Sequence, residues 1–269
     1  MKKLLIFAVA AILAAPAGLY AQKAFYVQDG TKKEVDSVTV DEKGNYQVKI
    51  GAAVRPLKKA DISYVWIPKP AEIASADALL KDGKGADAAA QYAAAATKYA
   101  ALGWEIYSLA KQAEALKAAG KLPEATAVLE KLQAYKAVNP ADAPILASAS
   151  LALGQIYLEQ KNYKKAMQFV TAKTSLDDDA AACAAYLLRG DIYKAMAMEK
   201  PAAEQKAALK EAAMAYFGAA LLFEKSGDRP QALFRAWEVL RDLKDARCEE
   251  FAKILREKYP DNAYTKQLK

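Results

Sequence analysis

The side chains of this 269-residue chain that could do chemistry are 32 carboxylates, 39 Lys and Arg side chains, two cysteines and scattered hydroxyls; there is no histidine. That absence removes Ser-His-Asp and Cys-His catalysis, the usual general base at neutral pH, and every zinc site that uses imidazole. Cys183 and Cys248 stand far apart, in no C-x-x-C arrangement, so neither a redox motif nor a metal knuckle is indicated. No G-x-S-x-G nucleophile elbow occurs. What remains is carboxylate-pair chemistry, of which glycan hydrolysis is the main example. It needs two acids held about 5–10 Å apart across a cleft. The acids here are spread along helical segments. The one dense cluster, Ser175 with Asp177, Asp178 and Asp179, suits a helix start, where it caps free N–H groups and opposes the positive dipole end. The alternative, a calcium loop, has no second acidic cluster behind it. No metal and no cofactor is expected.

The elements that would position such groups are mostly helices. Ala supplies 62 residues; it has the highest helix propensity, and its small side chain lets helices approach closely. From Pro70 onward, helical runs alternate with punctuated gaps such as "KDGKG", "AAGKLP", "NPADAP", "MEKP" and "KSGDRP". Ten helices fit between these marks. Residues 22–69 differ. In "NYQVKI", Tyr46, Val48 and Ile50 alternate with polar residues, as in a half-buried strand. "DSVTV" precedes it across the Gly-containing turn "DEKGN", and "DISYVWI" follows. The segment predicts four or five short strands, a small sheet or barrel, and it resembles the Sm-type small barrels of some bacterial envelope proteins. Packing or dimerisation is the expected role of this module.

A spacing recurs in the helical part. "LGQIYLEQKNYKKA" places Gly154, Tyr157 and Ala166 at intervals of three and nine, with Val170 four further on. Ala113, Leu116, Ala125 and Leu129 repeat it, as do Ala76, Leu79, Ala88 and Tyr92. Gly190, Tyr193, Ala212 and Tyr216 form a fourth copy with a ten-residue insertion around Pro201. A small residue on one helix admits its partner, and the Tyr or Leu three later fills the crossing. A single such hairpin leaves an apolar face open, and stacked copies close it. These residues resemble the tetratricopeptide repeat over about residues 70–260. The copies are degenerate, since successive closing Ala residues stand 37, 41 and 46 apart against a nominal repeat of about 34. The resemblance implies a mainly α fold: a right-handed helical-hairpin solenoid over 70–269, preceded by the small β module. "ILREKYPDNAYTKQL" at the end resembles the last repeat of exported bacterial envelope members.

The resemblance also implies a non-enzymatic binding or scaffold protein. Its first helices would line a groove for a protein or peptide partner, in envelope assembly or organisation. The groove residues it implies are Tyr107 and Glu114, then Leu151, Gln155 and Glu159, then Leu187, Asp191 and Lys194. One variant of the family clamps a peptide carboxylate with Lys and Asn. The matching positions, Ala110 with Glu114, Leu151 with Gln155 and Leu187 with Asp191, lack that pair. The competing function is an envelope glycan hydrolase using a carboxylate pair.

The first residues bear on location. Lys2 and Lys3, an apolar run from Leu4 to Ala15, then Pro16 and Gly18, follow the three-part pattern of a cleavable signal peptide over 1–21. The run is shorter than the roughly 20 residues a bilayer span requires. The expected product begins near Gln22 and is periplasmic or secreted, with no transmembrane span. Net charge is +7, a mild excess spread along the chain rather than the footprint of a nucleic-acid binder. In the expected helix order, Cys183 and Cys248 open helices at opposite edges of a layer. They are therefore expected to stay unpaired.

Overall fold

The computed structural model describes residues 23–171 and 179–268. The leader over 1–21 lies outside the described residues, as do Ser175, Asp177 and Asp178; Asp179 is the first residue of a helix. Six strands come first: β1 (Phe25–Gln28), β2 (Thr31–Glu34), β3 (Ser37–Val40), β4 (Tyr46–Ile50), β5 (Ala53–Leu57) and β6 (Tyr64–Trp66). Ten helices follow: α1 (Ala71–Lys81), α2 (Gly85–Lys98), α3 (Glu105–Ala118), α4 (Leu122–Leu132), α5 (Asp142–Glu159), α6 (Tyr163–Thr171), α7 (Asp179–Met198), α8 (Ala202–Leu222), α9 (Arg229–Asp242) and α10 (Cys248–Lys258). The chain is mainly α and built of tetratricopeptide-like hairpins. The described residues divide into two compact units, 23–148 and 149–268.

In the first unit the strands form two antiparallel three-stranded sheets, in the orders β2-β1-β6 and β3-β4-β5. This is a pair of small sheets, not a closed barrel. The chain changes sheets at Val35–Asp36: the Val35 N–H donates to the Ala24 carbonyl, and the next N–H, of Asp36, donates to Lys49. β1 serves two cores. Tyr26 faces Val35, Val38 and Val48, while Phe25 and Val27 pack with Trp66, Ile73, Trp104 and Tyr107. One face of the first sheet thus shares a core with the first helices, and the change from strand to helix near Pro70 is not a break in packing. Gly103 seals the joint. Its φ is +86°, and a Cβ there would stand 2.5 Å from the Val65 carbonyl oxygen, so only glycine fits. The next side chain, Trp104, donates its indole N–H to the Ile67 carbonyl at 2.9 Å.

The helices pack in sequence order: α1 on α2, α2 on α3 and α3 on α4 in the first unit; α7 on α8, α8 on α9 and α9 on α10 in the second. The repeat spacing has its physical meaning here. The closing residues Ala88, Ala125, Ala166 and Ala212 all have no exposed surface. So do Tyr92, Val170 and Tyr216 four residues on, and Leu129 is nearly as buried. Gly190 shows why the first small site matters: a Cβ there would stand 2.3 Å from the Tyr216 ring. At Gly154 the nearest atom would be Leu188 Cδ2 at 3.1 Å, the end of a flexible side chain.

Two predictions follow from this packing. Gly190→Ala should destabilise by about 1–3 kcal/mol, because the ring of Tyr216 cannot move aside. Gly154→Ala should be close to neutral, since helix propensity gains about 1 kcal/mol and Leu188 can yield. Urea unfolding of both variants measures the difference, and equal effects would contradict it. The second concerns Asp142 at the start of α5. Burial raises its pKa to about 6, against the opposing hydrogen bond from the Asn139 N–H. Between about pH 4 and pH 6 the folded chain keeps this proton while the unfolded chain has released it. The stability that comes with the protonated acid is complete below pH 4 and is lost as pH rises through 6. Asp142→Asn should flatten this slope by on the order of 1 kcal/mol, allowing for partial solvent access, as read from urea unfolding at pH 4 and pH 7.

Candidate functional site

Two aspartates hold buried tyrosines in the same way, one in each compact unit. In the first, Asp77 follows the fully buried Ala76 on α1. The Tyr92 hydroxyl donates to Asp77 Oδ1 at 2.5 Å, and the Tyr107 hydroxyl donates to the same oxygen at 3.0 Å. Lys69, just ahead of α1, pairs with Oδ2 of Asp77 and donates to the Tyr107 hydroxyl at 3.2 Å. Its ammonium also lies 4.9 Å from the Tyr107 ring centroid, within cation–π range.

In the second unit, Asp191 follows Gly190 on α7. The buried Tyr216 hydroxyl donates to Asp191 Oδ1 at 2.7 Å. Arg235 of α9 approaches the same oxygen with Nε at 3.8 Å and donates from Nη1 to Glu238 Oε2 at 3.0 Å. Lys194 reaches that Glu238 oxygen at 3.5 Å. Asp191 and Lys194 stand three apart on α7, Arg235 and Glu238 three apart on α9, so each pair forms one rung of a charge ladder. Burial pushes the Asp191 carboxyl up in spite of Arg235, Tyr216 and Lys194. Burial, then the Asp191 charge, raises Tyr216 far above the ordinary phenol value. Burial disfavours the charged form of Arg235, but Asp191, Tyr216 and Glu238 together outweigh it and hold the guanidinium protonated. The Nε atoms of Arg235 and of Arg189 are buried with no hydrogen-bond acceptor among the described residues.

The expected groove residues separate into two groups. Tyr107 and Leu187 are only 8% and 5% exposed; both are core side chains and are not available to a partner. Ala110, in line with them, is buried too. Glu114 is exposed and ion-paired with Lys111 at 2.8 Å. Leu151 and Gln155 are half-buried and Glu159 is exposed; the Gln155 amide reaches Glu159 at 3.4 Å. Asp191 and Lys194 fall within the charge ladder. Asp77, Arg235 and Glu238 were not anticipated. A signal for Asp77 existed: the two copies with Tyr after the closing Ala are the two with Asp after the first small residue.

The geometry offers little to carboxylate-pair chemistry. Asp191 and Glu238 share Arg235 but are occupied by Tyr216 and Lys194. A cleft of about 360 Å³ over α3, lined by Ala93, Ala96, Glu105, Leu109, Gln112 and Lys131, holds one carboxylate, and Glu105 accepts the Tyr135 hydroxyl. Both cysteines are free thiols. Cys183 is buried and Cys248 is partly exposed.

No family model matches the chain, and no curated protein matches it. Solved structures similar to the chain include two of a Podosopora anserina protein with nearly identical TPR-like repeats, one of them a single-substitution variant. Each is 15% identical with a TM-score of 0.47 and covers 69% of this chain, and 91% or 92% of its own. The hairpin architecture rests on the packing and spacing described above.

Tyr107→Ser should therefore act on folding, at a cost of about 3–5 kcal/mol, the scale for emptying a buried aromatic site. Leu151→Ser, at a half-buried position, should cost less than half as much. Urea unfolding with a check of helical content distinguishes them, and equal costs would place Leu151 in the core as well.

Proposed function

We propose that the chain is an exported, non-enzymatic binding protein whose helical hairpins engage a protein or peptide partner in the organisation of a cell envelope. The observation that carries this reading is the α7–α9 ladder. Asp191, Lys194, Arg235 and Glu238 are each 22–32% exposed, a polar stripe with both signs of charge across two helices. Leu151 and Gln155 of α5 are half-buried, and Glu159 exposed, as a groove wall needs. Export and envelope context rest on the leader pattern of residues 1–21 and on the Tyr-Pro ending of the last repeat.

Immobilised full-length protein, incubated with envelope extract of its native host, tests the reading. Lys194→Glu and Glu159→Lys should each weaken retention of the captured partner about tenfold, the usual scale for an interface residue worth about 1.4 kcal/mol. Lys210→Glu, on the exposed face of α8, should leave it unchanged. The opposite pattern would move the site to α8 and remove the assignment.

A further inference from the structure

The cleft over α3 exists because one of its walls is made of small side chains. Ala93 and Ala96 of α2, and Ala100 just beyond that helix, stand where larger residues would fill the space, and about 360 Å³ is left open. Its floor is apolar, since Ala96 and Leu109 are both buried. At about 30 Å³ per water, such a cleft has room for roughly a dozen water-sized groups.

Three polar side chains of the cleft have hydrogen-bonding or charge capacity to spare. Glu105 accepts the Tyr135 hydroxyl through Oε1 at 2.5 Å. Burial, then that hydrogen bond, raises the phenol to about 12, so Tyr135 stays a donor. Oε2 of Glu105 has no partner among the described residues, and neither has the half-buried side-chain amide of Gln112. Lys131 forms no ion pair among the described residues. An acid and a base thus line one cleft without meeting each other.

The helix directions set the order of these groups. α4 runs antiparallel to α3, since Tyr135, just past the end of α4, meets Glu105 at the start of α3. Helical side chains tilt toward the N-terminus of their own helix. Glu105 therefore leans out past the start of α3, and Gln112 leans back over Leu109. Lys131, on the antiparallel helix, leans the other way, toward the far end of the cleft. The order is carboxylate, amide, ammonium. The seven residues from Glu105 to Gln112 cover about 10 Å at 1.5 Å per residue.

A short peptide with free ends presents the complement in the same order: an ammonium, an amide that donates and accepts, and a carboxylate. Two or three extended residues span about 7–10 Å. A purely cationic ligand would meet the Lys131 ammonium, and a purely anionic one the Glu105 carboxylate. We propose that this cleft binds a linear peptide of two or three residues with both ends free, its ammonium on Glu105, its amide on Gln112 and its carboxylate on Lys131. The cleft belongs to α2, α3 and α4, and the proposal does not depend on the α7–α9 ladder.

Isothermal titration calorimetry of the full chain with alanyl-leucine tests it. The free dipeptide should bind with a Kd on the order of 0.1 mM. N-acetyl-alanyl-leucine and alanyl-leucine amide should each bind about tenfold more weakly, the scale for losing a hydrogen bond between charged groups. Free alanine and free leucine, too short to reach both charges, should lose as much. Glu105→Gln keeps an acceptor for Tyr135. It should weaken the free dipeptide about tenfold and no longer distinguish it from the acetylated form. Lys131→Met should do the same for the amidated form. Lys131 is exposed, so this second arm stands even if Glu105→Gln proves unstable in a thermal melt. Absence of binding by the free dipeptide overturns the proposal. So does equal binding of free and blocked dipeptides. Discrimination against blocked ends that survives in Lys131→Met and in a folded Glu105→Gln overturns it too, by placing the site elsewhere.

Discussion

A tyrosine hydroxyl buried under an aspartate is the contact on which the helical packing turns. Most of the interior is alanine, which gives little apolar area per residue, so the large side chains at the crossings supply much of what burial gains. Tyr92 and Tyr216 are fully buried, and each brings a hydroxyl that must be satisfied. Asp77 and Asp191 accept those hydroxyls, and Lys69 and Arg235 in turn balance the carboxylates. A tyrosine, an acid and a cation from three different elements are thereby fixed relative to one another. Removing one member leaves a buried polar group behind, which costs more than the bond contributes. Gly190 belongs to the same arrangement, because the Tyr216 ring lies where any larger side chain would stand.

Much of this was legible in the sequence, and the failures have physical causes. The closing alanines identified by spacing alone are all buried, because a close helix crossing leaves room only for a small residue. Helix phase was read less well. Tyr107 and Leu187 lie three or six residues before a small site, on a stripe that a helix wheel turns outward when only one neighbour is assumed. Each of these helices is wedged between helices on two sides; α3, for example, packs on both α2 and α4. The buried arc is then wider than a single amphipathic stripe, and the residues three to six before the small site fall inside it. Residues just after the small site, Glu114 and Gln155, reach solvent, whereas Asp77 and Asp191 at the same step bend toward tyrosine.

The β segment failed differently. β4 alternates and was recognised, because one face meets the core and the other meets water. β1 does not alternate: Phe25, Tyr26 and Val27 are all buried, since the strand separates two cores. Its hairpin partner could have been found from Asp29-Gly30, which takes positive φ at both positions as a tight primed turn requires. β5 contains Pro56, which argues against a central strand and fits the sheet-edge place it occupies.

That β1 pairs with β6 sets an order of events in folding. Phe25 lies opposite Trp66, so their meeting closes a loop that spans the other four strands. Every helical hairpin, by contrast, forms from neighbours in the chain. Loop-closure entropy and contact order both make the strand pairing the slower event. The first helices can thus assemble while Phe25, Val27 and Trp66 are still exposed, and an apolar, strand-forming segment waits beside a nearly finished helical stack. The vulnerable interval of this protein lies in that wait, when aggregation through β1 competes with the arrival of β6.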